Sequence, residues 1–193
     1  MVLDFDSKFN NSLNQFLIIR NFFQYNRRLN MSTLDNLKEA FAGESQANRK
    51  YLAFAKKADE EGYFQVARLF RAAAAAETVH AHNHLTVMKG IGSTEENLKE
   101  AIAGEVKEFK EMYPQFIEES KEENNEAATW SFDVANKVEE IHAGLYQKAL
   151  EALGENVETI YYVCNFCGNT VQKEAQDICS VCGAPKKEFL RVE

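Results

Sequence analysis

Hydrophobic residues recur at alternating spacings of three and four along the chain after residue 32, which is the pattern of amphipathic α-helices. From Thr33 to about Glu61 a first helix is predicted, and Gly62 ends it. A second helix begins within a residue or two and runs to about Lys89. So short a joint predicts an antiparallel helical hairpin. The residues on the inner faces of the two helices are Leu34, Leu37, Phe41, Glu44, Asn48, Tyr51, Ala55 and Ala58, then Val66, Phe70, Ala73, Glu77, His80, His84 and Val87.

A second hairpin follows. Gly90 and Gly92 stop the second helix, and Ser93 with Glu96 forms a capping-box pattern that opens a third helical region. Pro114 should kink or interrupt this region. A polar run at residues 122–126 predicts the tip, and a fourth helix runs from about Glu126 to Leu153. The inner-face residues are Leu98, Ile102, Glu105, Glu108 or Phe109, Met112 and Phe116, then Ala128, Phe132, Ala135, Glu139, His142, Tyr146, Ala149 and Leu153.

Two such hairpins pack side by side when one crossover connection joins them, and this connection is predicted from Gly90 to about Glu100. Four long helices with one crossover define the ferritin-like architecture. The predicted fold class is therefore an all-α, four-helix ferritin-like bundle.

Acidic and imidazole groups interrupt the apolar faces at a single depth. Glu77 with His80, and Glu139 with His142, are spaced by three residues, so each pair lies on one helix face. Glu44 lies 18 residues before Gly62, while Glu77 and His80 lie 15 and 18 after it, which places them level at about 1.5 Å per residue. The second hairpin repeats this geometry about a tip near Asn124.

Glu105 and Glu108 lie 19 and 16 residues before Asn124, and Glu139 and His142 lie 15 and 18 after it. Five carboxylates buried at one level require compensating positive charge, which two metal ions supply most simply. Oxygen-rich ligands with one imidazole per metal suit iron or manganese, and we expect iron. Two ferrous ions can deliver two electrons together to the oxygen–oxygen bond of a peroxide, although the site alone does not identify the substrate.

Other polar residues near these positions have simpler interpretations. His84 shares the face of His80 but lies about a turn from the ligand level, which favours a supporting or core histidine, and His82 points elsewhere. Glu140 leaves the inner face and is predicted to lie at the surface. Tyr51 and Tyr113 are either core aromatic residues or hydrogen-bond donors to the site.

The composition indicates one core and a small appendage. The chain has 193 residues, 45% of them hydrophobic, and a formal net charge of -8. That charge argues against sequence-independent binding to nucleic acid or to an anionic membrane. No apolar run approaches the ~20 residues that span a bilayer, and we expect a cytoplasmic protein. Residues 1–30 are mildly basic and weakly periodic, and they form either a disordered extension or a leader upstream of a true start at Met31.

All four cysteines lie near the C-terminus. Cys164 with Cys167, and Cys179 with Cys182, form two CxxC units separated by eleven residues. Four thiolates at this spacing predict a tetrahedral metal site. Spacing alone favours structural zinc over a redox-active iron. The predicted bimetallic centre favours iron instead, because a four-cysteine iron could carry electrons to it, whereas structural zinc could not.

The cysteine segment resembles a shortened rubredoxin, with Gly168 and Gly183 after each CxxC unit and an aromatic set available for a small core: Tyr161, Tyr162, Phe166 and Phe189. With the helices included, the chain from about Met31 to Glu193 closely resembles the rubrerythrin family. The matching motifs are GES at Glu44, ExxH at Glu77 and His80 and again at Glu139 and His142, and GExxE at Glu105 and Glu108 before Met112, Tyr113 and Pro114. One departure is Ser180, which replaces the proline common after the third cysteine of rubredoxin-type sites.

The resemblance implies a ferritin-like di-iron domain at residues 31–155 and a rubredoxin-like iron domain at residues 156–193. It implies a non-haem peroxidase that reduces hydrogen peroxide to water in oxidative stress defence, with electrons arriving through the four-cysteine iron from a reduced-nicotinamide-dependent reductase or a rubredoxin. One iron would exchange His80 for Glu108 on oxidation, and Tyr51 and Tyr113 would lie beside the irons. Head-to-tail homodimers would bring one subunit's cysteine site near the other's di-iron site. A ferroxidase or iron-handling protein and a scaffold with structural zinc remain alternatives.

Overall fold

The computed structural model describes residues 32–155 and 158–192. Contacts between residues divide the chain into two compact units, one ending at Ile91 and the other beginning at Gly92. The extension predicted for residues 1–30 lies outside the described residues. Among the described helices, none combines the length and apolar character that crossing a bilayer requires.

The first unit is the predicted helical hairpin, formed by α1 (Thr33–Glu60) and α2 (Phe64–Val87). Ser32 begins α1 with a capping box: its hydroxyl accepts the backbone N–H of Asp35, whose carboxylate accepts the Ser32 N–H. Gly62 makes the tight turn at a φ of +82°, a conformation that glycine adopts without steric cost. Small buried side chains let the two helices pack closely, and these are Ala55, Ala58, Ala67, Ala74 and Ala81.

A buried amide fixes how α1 and α2 align. Asn48 is 7% exposed, and its Nδ2 donates hydrogen bonds to the carbonyl oxygen of Ala74 at 2.7 Å and to Oγ1 of Thr78 at 2.8 Å. Because a buried amide without partners is costly, sliding one helix along the other would be unfavourable. Glu44 lies one turn before Asn48, and Glu77 lies beside Thr78, so this contact also sets the level of the two carboxylates.

The second unit begins with a helical region in three parts: α3 (Thr94–Lys107), a π-helical turn (Glu108–Met112) and α4 (Tyr113–Glu122). The π-helical turn confirms the interruption predicted at Pro114. Proline has no N–H, so it cannot continue the regular hydrogen bonding of an α-helix. The connection predicted from Gly90 to about Glu100 is shorter in the structure than expected. Ser93 and Glu96 form their capping box and begin α3 at Thr94, which leaves only residues 88–93 between the helices. The unit continues with α5 (Glu126–Glu151), whose first turn is capped by Asn125.

The small C-terminal part of this unit is a three-stranded antiparallel sheet in the order β2-β1-β3. Its strands are β1 (Tyr161–Cys164), β2 (Thr170–Gln172) and β3 (Phe189–Val192). Phe189 is buried with Cys164 and Cys179, and Tyr162 packs against them. Phe166 does not join this core as the sequence suggested. It is 64% exposed, and its ring makes an edge-to-face contact with Trp130 of α5 at 6.4 Å between centroids.

Candidate metal centres

The first hairpin presents one candidate set of metal ligands. Glu44, Glu77 and His80 offer ligand atoms that all lie within 4.8 Å of one another, which confirms that they share one depth. His80 Nδ1 lies 2.9 Å from Glu77 Oε2. Hydrogen bonds with His80 and with Glu44 hold the pKa of Glu77 below its usual value.

The second hairpin presents a matching set. Glu105, Glu139 and His142 also offer ligand atoms within 4.8 Å of one another. His142 Nδ1 lies 2.7 Å from Glu139 Oε2 and 4.0 Å from Glu105 Oε1. Burial, and then the charge of Glu139, raise the pKa of Glu105, whereas the hydrogen bond with Glu139 raises the pKa of His142. Each hairpin therefore places two carboxylates and one imidazole nitrogen where a cation would relieve the repulsion between the carboxylates.

The two hairpins form an internal repeat of 62 residues. Tyr51, Phe54 and Phe70 form an aromatic cluster in the first hairpin, with 5.5 Å between the two phenylalanine centroids. Tyr113, Phe116 and Phe132 form the same cluster in the second, again with 5.5 Å between the phenylalanine centroids. Each member, like Glu77 and His80, has its counterpart 62 positions later.

Glu44 breaks this repeat, because its counterpart Glu105 lies 61 positions later. The stretch between Glu105 and Tyr113 is therefore one residue longer than the stretch between Glu44 and Tyr51. The π-helical turn Glu108–Met112 absorbs the extra residue, as π turns inside α-helices generally do. Glu108 is the first residue of that turn. This seventh predicted ligand therefore lies in the segment where the two halves of the repeat differ.

Glu108 does not complete the set of three, but it lies within the influence of Glu139. Burial first, and then the charge of Glu139, raise the pKa of Glu108. A raised carboxyl pKa means that the folded state binds the proton more tightly, so stability falls as pH rises from the ordinary carboxyl range through the raised value.

We therefore expect Glu108→Gln to raise the melting temperature of the metal-free protein at neutral pH. The gain should shrink as pH falls through the carboxyl range, because the wild-type side chain then becomes neutral as well. Thermal unfolding of metal-free protein across this pH range measures the effect. Glu111→Gln is the control, since Glu111 lies in the same turn and is exposed. A gain that is equal for both variants, or independent of pH, would contradict the electrostatic explanation.

Residues around the ligands fall largely as predicted. Glu140 is exposed, as expected, and His82 is exposed as well. His84 is half-buried and belongs to none of the ligand clusters among the described residues, so its supporting role stays a prediction. Burial, followed by the charges of Glu139, Glu108 and Glu105, raises the pKa of Tyr113. That phenol therefore keeps its proton and can act as a donor beside the carboxylates.

The four cysteines form a third candidate site. Cys164 Sγ lies 3.8 Å from Cys182 Sγ, and Cys167 Sγ lies 3.7 Å from Cys179 Sγ. A disulfide would require about 2.05 Å. A tetrahedron with metal–sulfur bonds of about 2.3 Å has edges of about 3.8 Å, which fits these separations. The thiols are thus already arranged for a metal ion.

Nearby N–H groups favour the thiolate form of Cys179, whereas burial raises the pKa of Cys167 and of Cys182. Burial opposes ionisation of Cys179, but hydrogen bonds from the Cys182 backbone, the Asn169 amide and the Val181 backbone outweigh it and lower its pKa to about 6. Ser180 has a structural role that proline could not fill. Its backbone N–H donates to Gln176 Oε1 at 2.9 Å, and Gln176 also accepts a hydrogen bond from Asn169.

We therefore expect Asn169 to influence the reduction potential of an iron ion bound by the four cysteines. Its side chain is fully buried, and Nδ2 lies 3.4 Å from Cys179 Sγ. An N–H donor stabilises the more negative, reduced state of a tetrathiolate iron, so Asn169→Ala should lower the reduction potential of that iron. Redox titration of the visible thiolate-to-iron bands measures the shift. Asn165→Ala is the matched control, because Asn165 is exposed on the same turn, and an equal potential in both variants would exclude this role.

The small domain contacts a predicted ligand directly. His142 Nε2 lies 2.9 Å from Oγ1 of Thr170, the first residue of β2.

The sequence did not reveal the roles of Thr170 and Asn169, since neither residue belongs to a recognisable motif. Asn48 was assigned to the inner face of the first helix without a role, although an amide at a buried position is itself a signal of a specific partner.

Together, the helical repeat and the two kinds of ligand set define a carboxylate–imidazole metalloprotein with an appended four-cysteine domain. The rubrerythrin family model matches residues 35–150. The chain is 36% identical to rubrerythrin-2 of Clostridium acetobutylicum over 83% of its own length and 96% of that protein, and 37% identical to nigerythrin of Nitratidesulfovibrio vulgaris over 82% and 85%. This chain belongs to the rubrerythrin family.

Solved structures agree with this assignment. A structure described as the fully reduced, all-ferrous state of nigerythrin matches with a TM-score of 0.52 and 36% identity. The match covers 84% of this chain and 87% of that one. The predicted fold class, a ferritin-like four-helix domain followed by a small rubredoxin-like domain, is thereby confirmed. The predicted domain limits at residues 31–155 and 156–193 remain predictions.

Proposed function

We propose that this protein is a non-haem di-iron peroxidase that reduces hydrogen peroxide to water in oxidative stress defence. Family membership supports an oxidoreductase role, and the nigerythrin described as all-ferrous supports iron as the metal. The observation that carries the proposal is the combination of ligands in the second unit. There a set of four thiols, suited to carrying single electrons, adjoins a carboxylate–imidazole set through the contact between Thr170 and His142.

The donor atoms of the helical domain fit a pair of iron ions. Five carboxylates and two imidazoles give each ion one nitrogen and several oxygens, a set that suits iron and is poor for softer metals. Glu44, Glu77 and His80 would serve one ion, and Glu105, Glu139 and His142 the other. Glu108 would be the seventh ligand. When bound as ferrous ions, the pair supplies the two electrons that break the oxygen–oxygen bond of peroxide.

The chain's own residues would prepare the site for that reaction. Glu77 and Glu139 occupy equivalent positions in the two halves of the repeat, and each would hold the metal pair. Burial and the charge of Glu139 raise the pKa of Glu108, so a cation beside this carboxylate would relieve an unfavourable charge. Tyr113 keeps its phenolic proton and, with Tyr51, would donate hydrogen bonds to peroxide in the site.

Exchange of His80 for Glu108 upon oxidation is consistent with an asymmetry between the two histidines. The His80 side chain is 53% exposed, and it makes no second side-chain hydrogen bond within the described residues. The His142 side chain is 27% exposed, and it is held at both ring nitrogens. A histidine held at one nitrogen can leave its position at lower cost than one held at two.

Electrons would reach the four-cysteine iron from a reduced-nicotinamide-dependent reductase or a rubredoxin. We also propose a homodimer or higher homo-oligomer in the cytoplasm, without nucleic-acid or membrane partners. The paired CxxC units support a reducing compartment, where such units hold metal more often than disulfides.

Purified protein distinguishes this function from its alternatives. Iron at both sites, thiolate-to-iron bands in the visible spectrum, and sustained peroxide consumption with an electron donor are the expected results. A colourless cysteine site containing zinc would instead favour the scaffold. Oxidation of added ferrous iron without donor-dependent turnover would favour a ferroxidase.

A further inference from the structure

Thr170 occupies a position that no ligand motif predicts. Its hydroxyl lies 3.1 Å from the carbonyl oxygen of Gly168 and 2.9 Å from His142 Nε2. A hydroxyl has one proton to donate, and the carbonyl oxygen can only accept it. Thr170 must therefore accept its other hydrogen bond from His142, which requires that Nε2 carry a proton.

This protonation state is the one that a metal ligand at Nδ1 needs. With the proton on Nε2, the lone pair of a neutral imidazole lies on Nδ1, the nitrogen that faces Glu139 and Glu105. Histidines that bind metals generally donate their other N–H to an oxygen, which fixes the tautomer and the ring orientation. Thr170 supplies that oxygen from a different domain.

The small domain contacts α5 at other points besides the hydrogen bond between Thr170 and His142. The Trp130 and Phe166 rings meet edge to face, and a Cβ placed on Gly168 would lie 3.8 Å from Val138. Val138 and His142 are one helical turn apart, so both contacts fall on the same face of α5. These contacts hold the segment that precedes Thr170 against the same helix that carries His142.

We propose that Thr170 is the positioning residue for His142, and that docking of the four-cysteine domain thereby completes the metal-binding geometry of the helical domain. The inference rests on the proposed di-iron function. It makes His142 the fixed imidazole of the pair and His80, which has no comparable partner among the described residues, the adjustable one.

The test uses the full chain loaded with ferrous iron under anaerobic conditions. Proton NMR should show two exchangeable ring N–H signals shifted by the paramagnetic metals, one from each ligating histidine. The His142 signal should exchange slowly with solvent in the wild type, because its proton is held by Thr170. In Thr170→Val, which keeps the shape of the side chain but lacks the hydroxyl, this slow signal should be lost.

Ferrous-iron affinity gives a second readout. It should fall about tenfold to a hundredfold in Thr170→Val, the range typical when an outer hydrogen-bond partner of a metal ligand is removed. Thr170→Ser keeps the hydroxyl and should restore both the slow signal and the affinity. The visible bands of the four-cysteine iron should be the same in all three proteins, which confirms folding of the small domain.

The possible failures are distinguishable. If the wild type binds no iron at the carboxylate–imidazole sites, the proposed di-iron function fails and the inference fails with it. If the wild type binds iron and shows the slowly exchanging signal, and Thr170→Val keeps that signal with unchanged affinity, the positioning role alone is overturned. Failure of Thr170→Ser to restore either readout would also overturn it.

Discussion

Replacing Glu139 with alanine should empty at least part of the carboxylate–imidazole centre and abolish peroxide turnover. Glu139 lies 2.7 Å from His142, and its charge raises the pKa of Glu105 and of Glu108, so all three neighbours depend on it. Replacing Glu139 removes a predicted ligand and releases the His142 imidazole from its hydrogen-bond partner. Iron content after anaerobic loading and steady-state peroxide consumption measure the result.

Glu140→Ala is the matched control for this experiment. Glu140 is the next residue on α5, has the same charge and is exposed. We expect this variant to bind iron and turn over like the wild type. Glu77→Ala, at the equivalent position of the repeat, should behave like Glu139→Ala. Full iron loading with unchanged turnover in either ligand variant would refute the assignment of the centre.

The second large effect concerns the small domain. If the four-cysteine iron feeds electrons to the bimetallic centre, Cys179→Ser should stop steady-state turnover with a reductase. The chemically reduced bimetallic centre should still react once with peroxide. Cys179 is buried and has a pKa lowered to about 6, so it is the thiol most readily available as a thiolate.

Stopped-flow oxidation of the reduced variant, compared with steady-state turnover, separates these two steps. Ser180→Ala is the control, because Ser180 is exposed beside Cys179 and its structural hydrogen bond comes from the backbone. A ferroxidase would keep its rate of ferrous-iron oxidation in Cys179→Ser, since its electrons come from the substrate. Steady-state peroxide turnover that survives loss of the cysteine-bound iron would contradict the proposed relay.

Much of the helical architecture follows from periodicity because each helix repeats its apolar positions over many turns. The sequence predicted the hairpin turn at Gly62, the tip near Asn124 and the common depth of each ligand set, since helical rise converts residue counts into distances. Pro114 likewise predicted an interruption. Its form as a π turn was visible only in a comparison of the halves, where Glu105 lies 61 rather than 62 positions after Glu44.

Contacts between elements were harder to predict. The connection between the hairpins was predicted to extend to about Glu100, whereas the capping box at Ser93 begins a helix at Thr94. Phe166 was assigned to the small-domain core because aromatic residues usually lie inside, yet it contacts Trp130 on α5. Thr170 contacts His142 only because the small domain packs against α5, and no local sequence pattern predicts that contact.

The contact between Trp130 and Phe166 gives the protein a built-in optical reporter. Trp130 is the only tryptophan of the chain, and Phe166 lies within the first CxxC unit, between Cys164 and Cys167. Ferric thiolate absorbs in the near ultraviolet, where indole emits, whereas zinc thiolate does not. Intrinsic fluorescence should therefore be quenched when iron fills the cysteine site and bright when zinc does, so the choice of metal can be followed in dilute solution without isolating the small domain.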